Sequence, residues 1–218
     1  MNLEEKQSLK VQYCQIMEEI RERIDAIYAI YAGTSKLPLY IRYEMSYLQL
    51  RMIAELIAIA CLKAHGDLPP LRSKKILKTY EPSKILRMVR NIHPTYWPVP
   101  VSEHLDSEGV LESITPIDSE FLTSGELIKL WNECGDVLHR GSAISYSLPG
   151  ERDMLKPAKW QRKIVGLLNR HFIALADGRS GMYVMMKTKE TGRVLSFDLE
   201  ISDQTRWPNW AKELHVRS

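Results

Sequence analysis

Cysteine is scarce in this sequence, and none of it stands at paired spacing. The 218 residues contain three cysteines, Cys14, Cys61 and Cys134, with no Cys-x-x-Cys motif among them. An odd number of distant cysteines argues against a disulfide framework and against a structural zinc site. We therefore expect free, buried thiols in a protein of the reducing cytoplasm.

Long uninterrupted apolar runs are missing as well. The longest apolar stretch, 45–62, approaches the length of a membrane span but contains Gln49, Arg51 and Glu55. Two charges inside the stretch favour the buried helix of a soluble protein. The first ten residues lack the apolar core of a secretion signal. We expect neither secretion nor a membrane partner.

No charge of one sign dominates the chain. The net charge is +3, from 30 basic and 27 acidic residues, and 44% of the residues are hydrophobic. This is an ordinary soluble composition with enough apolar residues for a sizeable core. The net charge alone does not indicate nucleic-acid binding.

Helical periodicity covers most of the first 176 residues. The first thirty residues predict an amphipathic helix, and a second helix from Pro38 to about His65 is apolar nearly all round, which is typical of the centre of a bundle. Two shorter helices are predicted on either side of Pro82. Further helices are predicted over Gly125–Leu138, with Thr123 or Ser124 as N-cap, and over Pro157–Ala176.

Two segments depart from this periodicity. Residues 94–124 contain four prolines and one strand-like stretch, Val110–Ile117, and predict a long irregular insertion. After residue 177, alternation predicts a β-hairpin from Met182–Met186 and Arg193–Ile201, which must pack on the bundle or pair with another chain. We thus expect a mainly α protein: a helical bundle over 1–176 with the insertion, then a hairpin and aromatic tail over 177–218. The tail motif, 207–210, fits an anchor for the hairpin better than a ligand box.

The stretch WNECGDVLHRG, residues 131–141, gathers several reactive side chains on one helix. Asn132, Asp136, His139 and Arg140 are related by three- and four-residue steps and share a face. They fit either a small active site or a helix C-terminus, where cations are favourable and Gly141 takes the left-handed position. A metal site is poorly supported, because no second pair of ligands stands at suitable spacing. We expect no metal and no cofactor.

This stretch resembles the HEPN superfamily of small helical bundles. The resemblance rests on Gly135, Asp136, His139, Arg140 and Gly141, following a long apolar helix with Arg51 and Glu55 four residues apart, and it covers roughly residues 5–175. It implies a helical bundle, commonly a homodimer. Many members are metal-independent ribonucleases of toxin–antitoxin, abortive-infection or CRISPR antiviral defence systems, and others are inactive binding modules.

One departure from the family signature bears on activity. The signature has an arginine separated from the histidine by four to six intervening residues, where this chain has Asn132, Glu133 and Cys134. Metal-free RNA cleavage needs a histidine and a cation that stabilises the phosphorane. Arg140 follows His139 directly and points about 100° away on a helix. An alternative arginine–histidine pair, Arg87 and His93, is weaker because Pro94 disfavours helix at His93.

Three functions therefore remain open. The first is a catalytically degenerate domain that binds a protein partner or RNA. The second is an active endoribonuclease that uses His139, Asp136 and Arg140, with an arginine supplied by the fold or by a dimer. The third is a structural protein with no nucleic-acid role.

Charge distribution adds two candidate surfaces. A basic stretch indicates a nucleic-acid-binding surface; its residues are Lys74, Lys75, Lys78, Lys84, Arg87 and Arg90. Residues 91–128 contain seven acids, no arginine and no lysine, so this segment either neutralises the basic helices or screens them until a partner displaces it. In the second helix, Glu44, Arg51 and Glu55 form a polar stripe. Its charges must pair within the helix or line a groove shared with His139.

Overall fold

Helices make up most of the described structure. The computed structural model describes residues 3–32, 36–65, 79–139, 147–175, 180–188 and 191–200. Within these ranges the helices are α1 (Leu3–Tyr31), α2 (Leu39–Ala64), α3 (Pro82–Ile92), α4 (Ser124–Leu138) and α5 (Leu155–Leu168). The prediction of a mainly α protein is confirmed. The helix predicted before Pro82, and the tail motif at 207–210, lie outside the described residues.

Helix α2 is the centre of the bundle, as its all-round apolarity predicts. Helices α1, α3, α4 and α5 all pack against it. Leu50, Ile53 and Cys61 are fully buried in the core that these helices share. Helix α2 is long and apolar enough to cross a membrane, but 56% of its most apolar window is buried inside the protein. That burial fits the core helix of a soluble protein.

The strands form a single antiparallel sheet. They are β1 (Val99–Leu105), β2 (Leu111–Pro116), β3 (Arg170–Ala174), β4 (Ser180–Met185) and β5 (Leu195–Glu200), in the order β2-β1-β3-β4-β5. The predicted C-terminal hairpin is confirmed as β4 and β5, with Tyr183 opposite Phe197. The support that this hairpin requires comes from β3, which pairs with β4.

The prediction of an irregular insertion over 94–124 is wrong, although its one strand-like stretch, Val110–Ile117, is confirmed as β2. Strands β1 and β2 pair within it, around a turn in which the Asp106 carboxylate accepts from the N–H groups of Glu108 and Val110. Gly109 takes a φ of +80° in this turn, a conformation that glycine adopts freely. Pro100 lacks an N–H but contributes its carbonyl, which accepts from Ile117 N–H at 3.0 Å. Pro100 therefore still joins the ladder through its carbonyl, although it cannot donate to it.

The last helix is shorter than predicted. It ends at Leu168 rather than near Ala176, and the chain continues as β3 from Arg170. His171 fixes the change of direction, because its Nδ1 donates to the Leu168 carbonyl at 2.8 Å. Its Nε2 then accepts from the Tyr13 hydroxyl at 2.9 Å. Residues 171–174 are buried on both faces of a central strand, so they show none of the alternation that marks a half-buried strand.

Candidate functional site

A cleft of about 870 Å³ lies between α2, the end of α4 and the chain that leads into α5. Glu44 and Arg51 of α2 line it, together with Asp136 and His139 of α4. The polar stripe of α2 and the α4 motif were separate candidates in the sequence, and the structure brings them to one site. The groove shared with His139 therefore exists.

Arg51 is held in place by two neighbours. Its Nε donates to Glu55 Oε1 at 3.3 Å, and its guanidinium carbon lies 4.9 Å from the centre of the Trp131 ring. Trp131 Nε1 donates to the same Glu55 oxygen at 3.0 Å. The pairing of Arg51 with Glu55 within α2 is thus present as well, and both side chains are mostly buried, at 23% and 19% exposed. Cation–π stacking and an ion pair together restrict the guanidinium.

Three residues stand where the family signature has an arginine, and their side chains have different surroundings. Asn132 is exposed and lines the cleft. Glu133 points away from it and accepts hydrogen bonds from the Tyr47 hydroxyl and, at 3.0 Å, from Trp160 Nε1. Cys134 is buried, and burial raises the pKa of its thiol to about 12.

Sequence reasoning missed the roles of Glu133 and Trp131. The partners of Glu133 lie 86 and 27 residues away in the chain, and Trp131 is 76 residues from Glu55. Local spacing therefore could not reveal them. The one available signal is the placement of a carboxylate among apolar residues in a core helix, which requires a buried hydrogen-bond partner.

His139 is the C-cap of α4, and its N–H donates to the Gly135 carbonyl at 2.9 Å. The side chains of His139 and Asp136 are exposed at the cleft. Gly135, one turn earlier, lies against Arg51: a Cβ built on Gly135 would be 3.8 Å from Arg51 Nη1. The turn that ends at His139 is therefore next to the guanidinium. Arg140 and Gly141 lie outside the described residues.

The wall opposite α4 comes from residues 147–156 and the start of α2. Lys156 donates to Asp153 at 3.2 Å, and this hydrogen bond raises the pKa of the lysine. Tyr40 and Tyr43 add aromatic rings to the cleft. The described lining of the cleft thus combines two cations, Arg51 and Lys156, with the carboxylates of Glu44, Asp136 and Asp153. A cleft of this balance suits a single phosphate group better than a long stretch of polyanionic backbone.

The predicted basic surface is described only in part. Lys74, Lys75 and Lys78 lie outside the described residues, whereas Lys84, Arg87 and Arg90 lie on α3. Lys84 pairs with Glu81 at 2.6 Å, within its own helix turn. The α3 face remains a candidate nucleic-acid surface.

Acidic residues of the 91–128 segment form ion pairs with cations outside the α3 surface. Glu126 pairs with Lys163 of α5 at 2.6 Å, and Glu103 pairs with Arg170 at 2.9 Å. The expected neutralisation of the basic helices is therefore seen at Lys163 of α5, whereas Arg170 lies on β3.

The alternative pair of Arg87 and His93 is not a continuous helical site. Helix α3 ends at Ile92, and His93 turns towards Thr95 and the ring of His65, at 3.0 Å and 4.5 Å respectively. Arg87 is exposed on the helix surface. This geometry favours His139 as the functional histidine.

Comparison with known proteins adds no assignment. No family model, curated protein or solved structure matches this chain. Among the described residues, no three His, Cys, Asp or Glu side chains are grouped so that they could hold a metal ion. The function must therefore be argued from the cleft.

Proposed function

We propose that this chain is a HEPN-like helical domain that binds RNA in the cleft between α2 and α4. The observation that supports this most is the position of Arg51, held by Glu55 and Trp131 beside the turn that bears His139. A fixed guanidinium offers a planar fork of donors that matches a phosphate group. Tyr40 and Tyr43 provide rings on which an unpaired base can stack.

Binding without cleavage is the preferred form of this function. Glu55 offsets the charge of Arg51 through their ion pair, and less of that charge is left to stabilise a phosphorane. The three carboxylates at the cleft act in the same direction. The signature arginine is also absent: one of its positions holds Glu133, whose carboxylate accepts from Tyr47 and Trp160.

The biological setting follows from the family resemblance alone. In this proposal the protein is a cytoplasmic component of a bacterial or phage-related defence or toxin–antitoxin system, and it acts as a homodimer. A protein partner that displaces or presents the RNA is part of the same proposal.

A metal-independent endoribonuclease is the second candidate. It is favoured by the shared cleft, which supplies an arginine that the α4 motif lacks. In that reaction His139 would accept the proton of the ribose 2′-hydroxyl, and Arg51 would stabilise the negative charge that develops on the phosphate.

The test is to mix the purified protein with tRNA and with mixed RNA in EDTA, over a series of salt concentrations. We expect binding that weakens with added salt by the amount that one or two phosphate contacts require, RNA that stays intact, and weaker binding by the Arg51→Gln variant. Arg23→Gln is the matched control, because Arg23 also pairs with a carboxylate, Glu19 at 2.6 Å, but does not line the cleft.

Each other outcome selects a different function. Absence of binding at low salt would leave a structural or protein-binding role. Cleavage that is lost in His139→Ala and kept in His93→Ala would establish the ribonuclease. Equal cleavage by both variants would indicate a contaminating nuclease.

A further inference from the structure

The guanidinium of Arg51 has a described neighbour on three sides. Glu55 accepts from Nε, the Trp131 ring covers one face, and Gly135 lies beside Nη1. Arg51 and Gly135 both line the cleft. At Nη1 the neighbouring cleft residue is Gly135, whose side chain is a single hydrogen atom.

Gly135 is an unexpected residue inside a helix. Glycine is among the weakest helix formers, yet a Cβ at this position would meet Arg51 Nη1 and no other atom within 4 Å. Alanine would thus fit without displacing any neighbour. Packing alone does not require glycine here, and what a small residue at this position provides is an open approach to the guanidinium.

We infer that Gly135 gives a phosphate group access to Arg51, and that Glu55 and Trp131 position the guanidinium to receive it. The inference rests on the proposed function and names the part of the RNA that the cleft contacts. The ligand chemistry is a phosphodiester oxygen pair, bound by the two Nη groups through charge-assisted hydrogen bonds. Gly135 is thus an access-determining residue, and Glu55 and Trp131 are positioning residues.

The direction in which a side chain at position 135 would point supports this role. Side chains on a helix lean towards its N-terminus, so a longer residue at 135 would lie over the turn that bears Trp131. Arg51 stacks on Trp131, and such a side chain would cover the guanidinium edge. A methyl group would only touch it.

The experiment compares Gly135→Leu with Gly135→Ala in the full chain. Both replacements are better helix formers than glycine, so both proteins are expected to melt at or above the wild-type temperature. We expect RNA affinity to fall roughly ten- to hundredfold in Gly135→Leu, the range of one or two charge-assisted hydrogen bonds, and to change by less than about threefold in Gly135→Ala. Gly135→Gln serves as a second long side chain if the leucine variant does not fold.

A second readout separates this inference from the proposed function. The Arg51 Nε–H signal in ¹⁵N NMR is followed as inorganic phosphate is added to the wild type and to Gly135→Leu. A shift in the wild type alone, without any RNA binding, would leave the phosphate site standing and overturn RNA as its ligand.

Two results would overturn the inference itself. One is a leucine variant that binds as the wild type does, or an alanine variant that is weakened equally. The other is a wild-type Arg51 signal that responds neither to RNA nor to phosphate.

Discussion

Neighbouring residues on α4 show how one helix divides its side chains between core and cleft. Asn132 is exposed at the cleft, Glu133 serves as acceptor for Tyr47 and Trp160, and Cys134 is buried. Burial and the Glu133 hydrogen bond together raise the pKa of the Tyr47 hydroxyl well above its ordinary value. That hydroxyl therefore remains a donor at neutral pH.

A cation introduced at Asn132 should strengthen RNA binding. Asn132→Arg places a second guanidinium at an exposed position of the cleft, where the core does not restrict it. We expect tighter RNA binding at low salt and a salt dependence steeper by about one phosphate contact. Titrations at several salt concentrations measure both.

The control for this substitution is Glu133→Arg. It removes the acceptor of two partly buried hydrogen bonds and should lower the melting temperature without the gain in RNA binding. An Asn132→Arg protein whose salt dependence equals that of the wild type would contradict the placement of RNA in this cleft.

Contacts between residues close together in the chain could be predicted from the sequence, and contacts between distant residues could not. Arg51 and Glu55 are one helical turn apart, and their ion pair could be inferred from spacing alone. Their shared partner Trp131 could not, since it depends on how α4 packs against α2. The sequence therefore offered a shared groove as one of two alternatives for these charges. Only the packing of α4 against α2 establishes it.

Glycines on α4 and α5 should respond in opposite ways to the same substitution. At Gly135 an added methyl group meets only the Arg51 side chain at 3.8 Å, whereas at Gly166 it would lie 2.3 Å from the backbone oxygen of Glu120. We expect Gly135→Ala to stabilise the protein by about 0.5 to 1 kcal/mol, from helix propensity. Gly166→Ala should destabilise it by about 1 to 3 kcal/mol, because the 120–121 backbone must move.

Urea unfolding of the two variants measures both free energies. The 120–122 segment is fixed to α5 by the hydrogen bond from Leu122 N–H to the Lys163 carbonyl, at 2.9 Å. Equal stabilisation by the two alanines would mean that this segment does not cross α5 at Gly166.

Strands were harder to predict than helices, for reasons visible in particular residues. Ile164, Leu167, Leu168 and Phe172 keep a helical spacing across the boundary at Asn169, and no glycine or proline marks the change. In β1, Pro100 argued against a strand, although its carbonyl still accepts a ladder hydrogen bond from Ile117. By contrast, β5 alternates visibly between apolar and polar residues, so the hairpin with β4 was predictable.

At the scale of the whole molecule, the sheet is attached to the bundle through α1. On its surface, Lys10 pairs with Asp198 of β5 at 2.8 Å, and the Cys14 thiol donates to Ser196 at 3.1 Å. In the interior, Tyr13 donates to His171 of β3. Tyr13 and His171 are fully buried. The interior contact ties the longest helix to the central strand.

This contact should make stability depend on pH. Burial lowers the pKa of His171 to about 4, because the charged imidazolium is poorly solvated there. The unfolded chain binds the proton at its ordinary pKa of about 6.5, so the stability that neutral His171 provides is complete above that pH and is lost as the pH falls towards 4. We expect the free energy of unfolding to drop by about 2 kcal/mol between pH 7 and pH 5 from this residue.

Urea unfolding at the two pH values tests this in the wild type, His171→Gln and His104→Gln. The His171 variant should be less stable at pH 7, since Tyr13 and the Leu168 carbonyl lose a well-placed partner, but its stability should fall less on acidification. His104 is exposed on β1, where it contacts Thr115 at 2.8 Å, and its replacement should leave the pH dependence as in the wild type. An equal fall in all three proteins would show that the link between α1 and the sheet does not depend on a neutral His171.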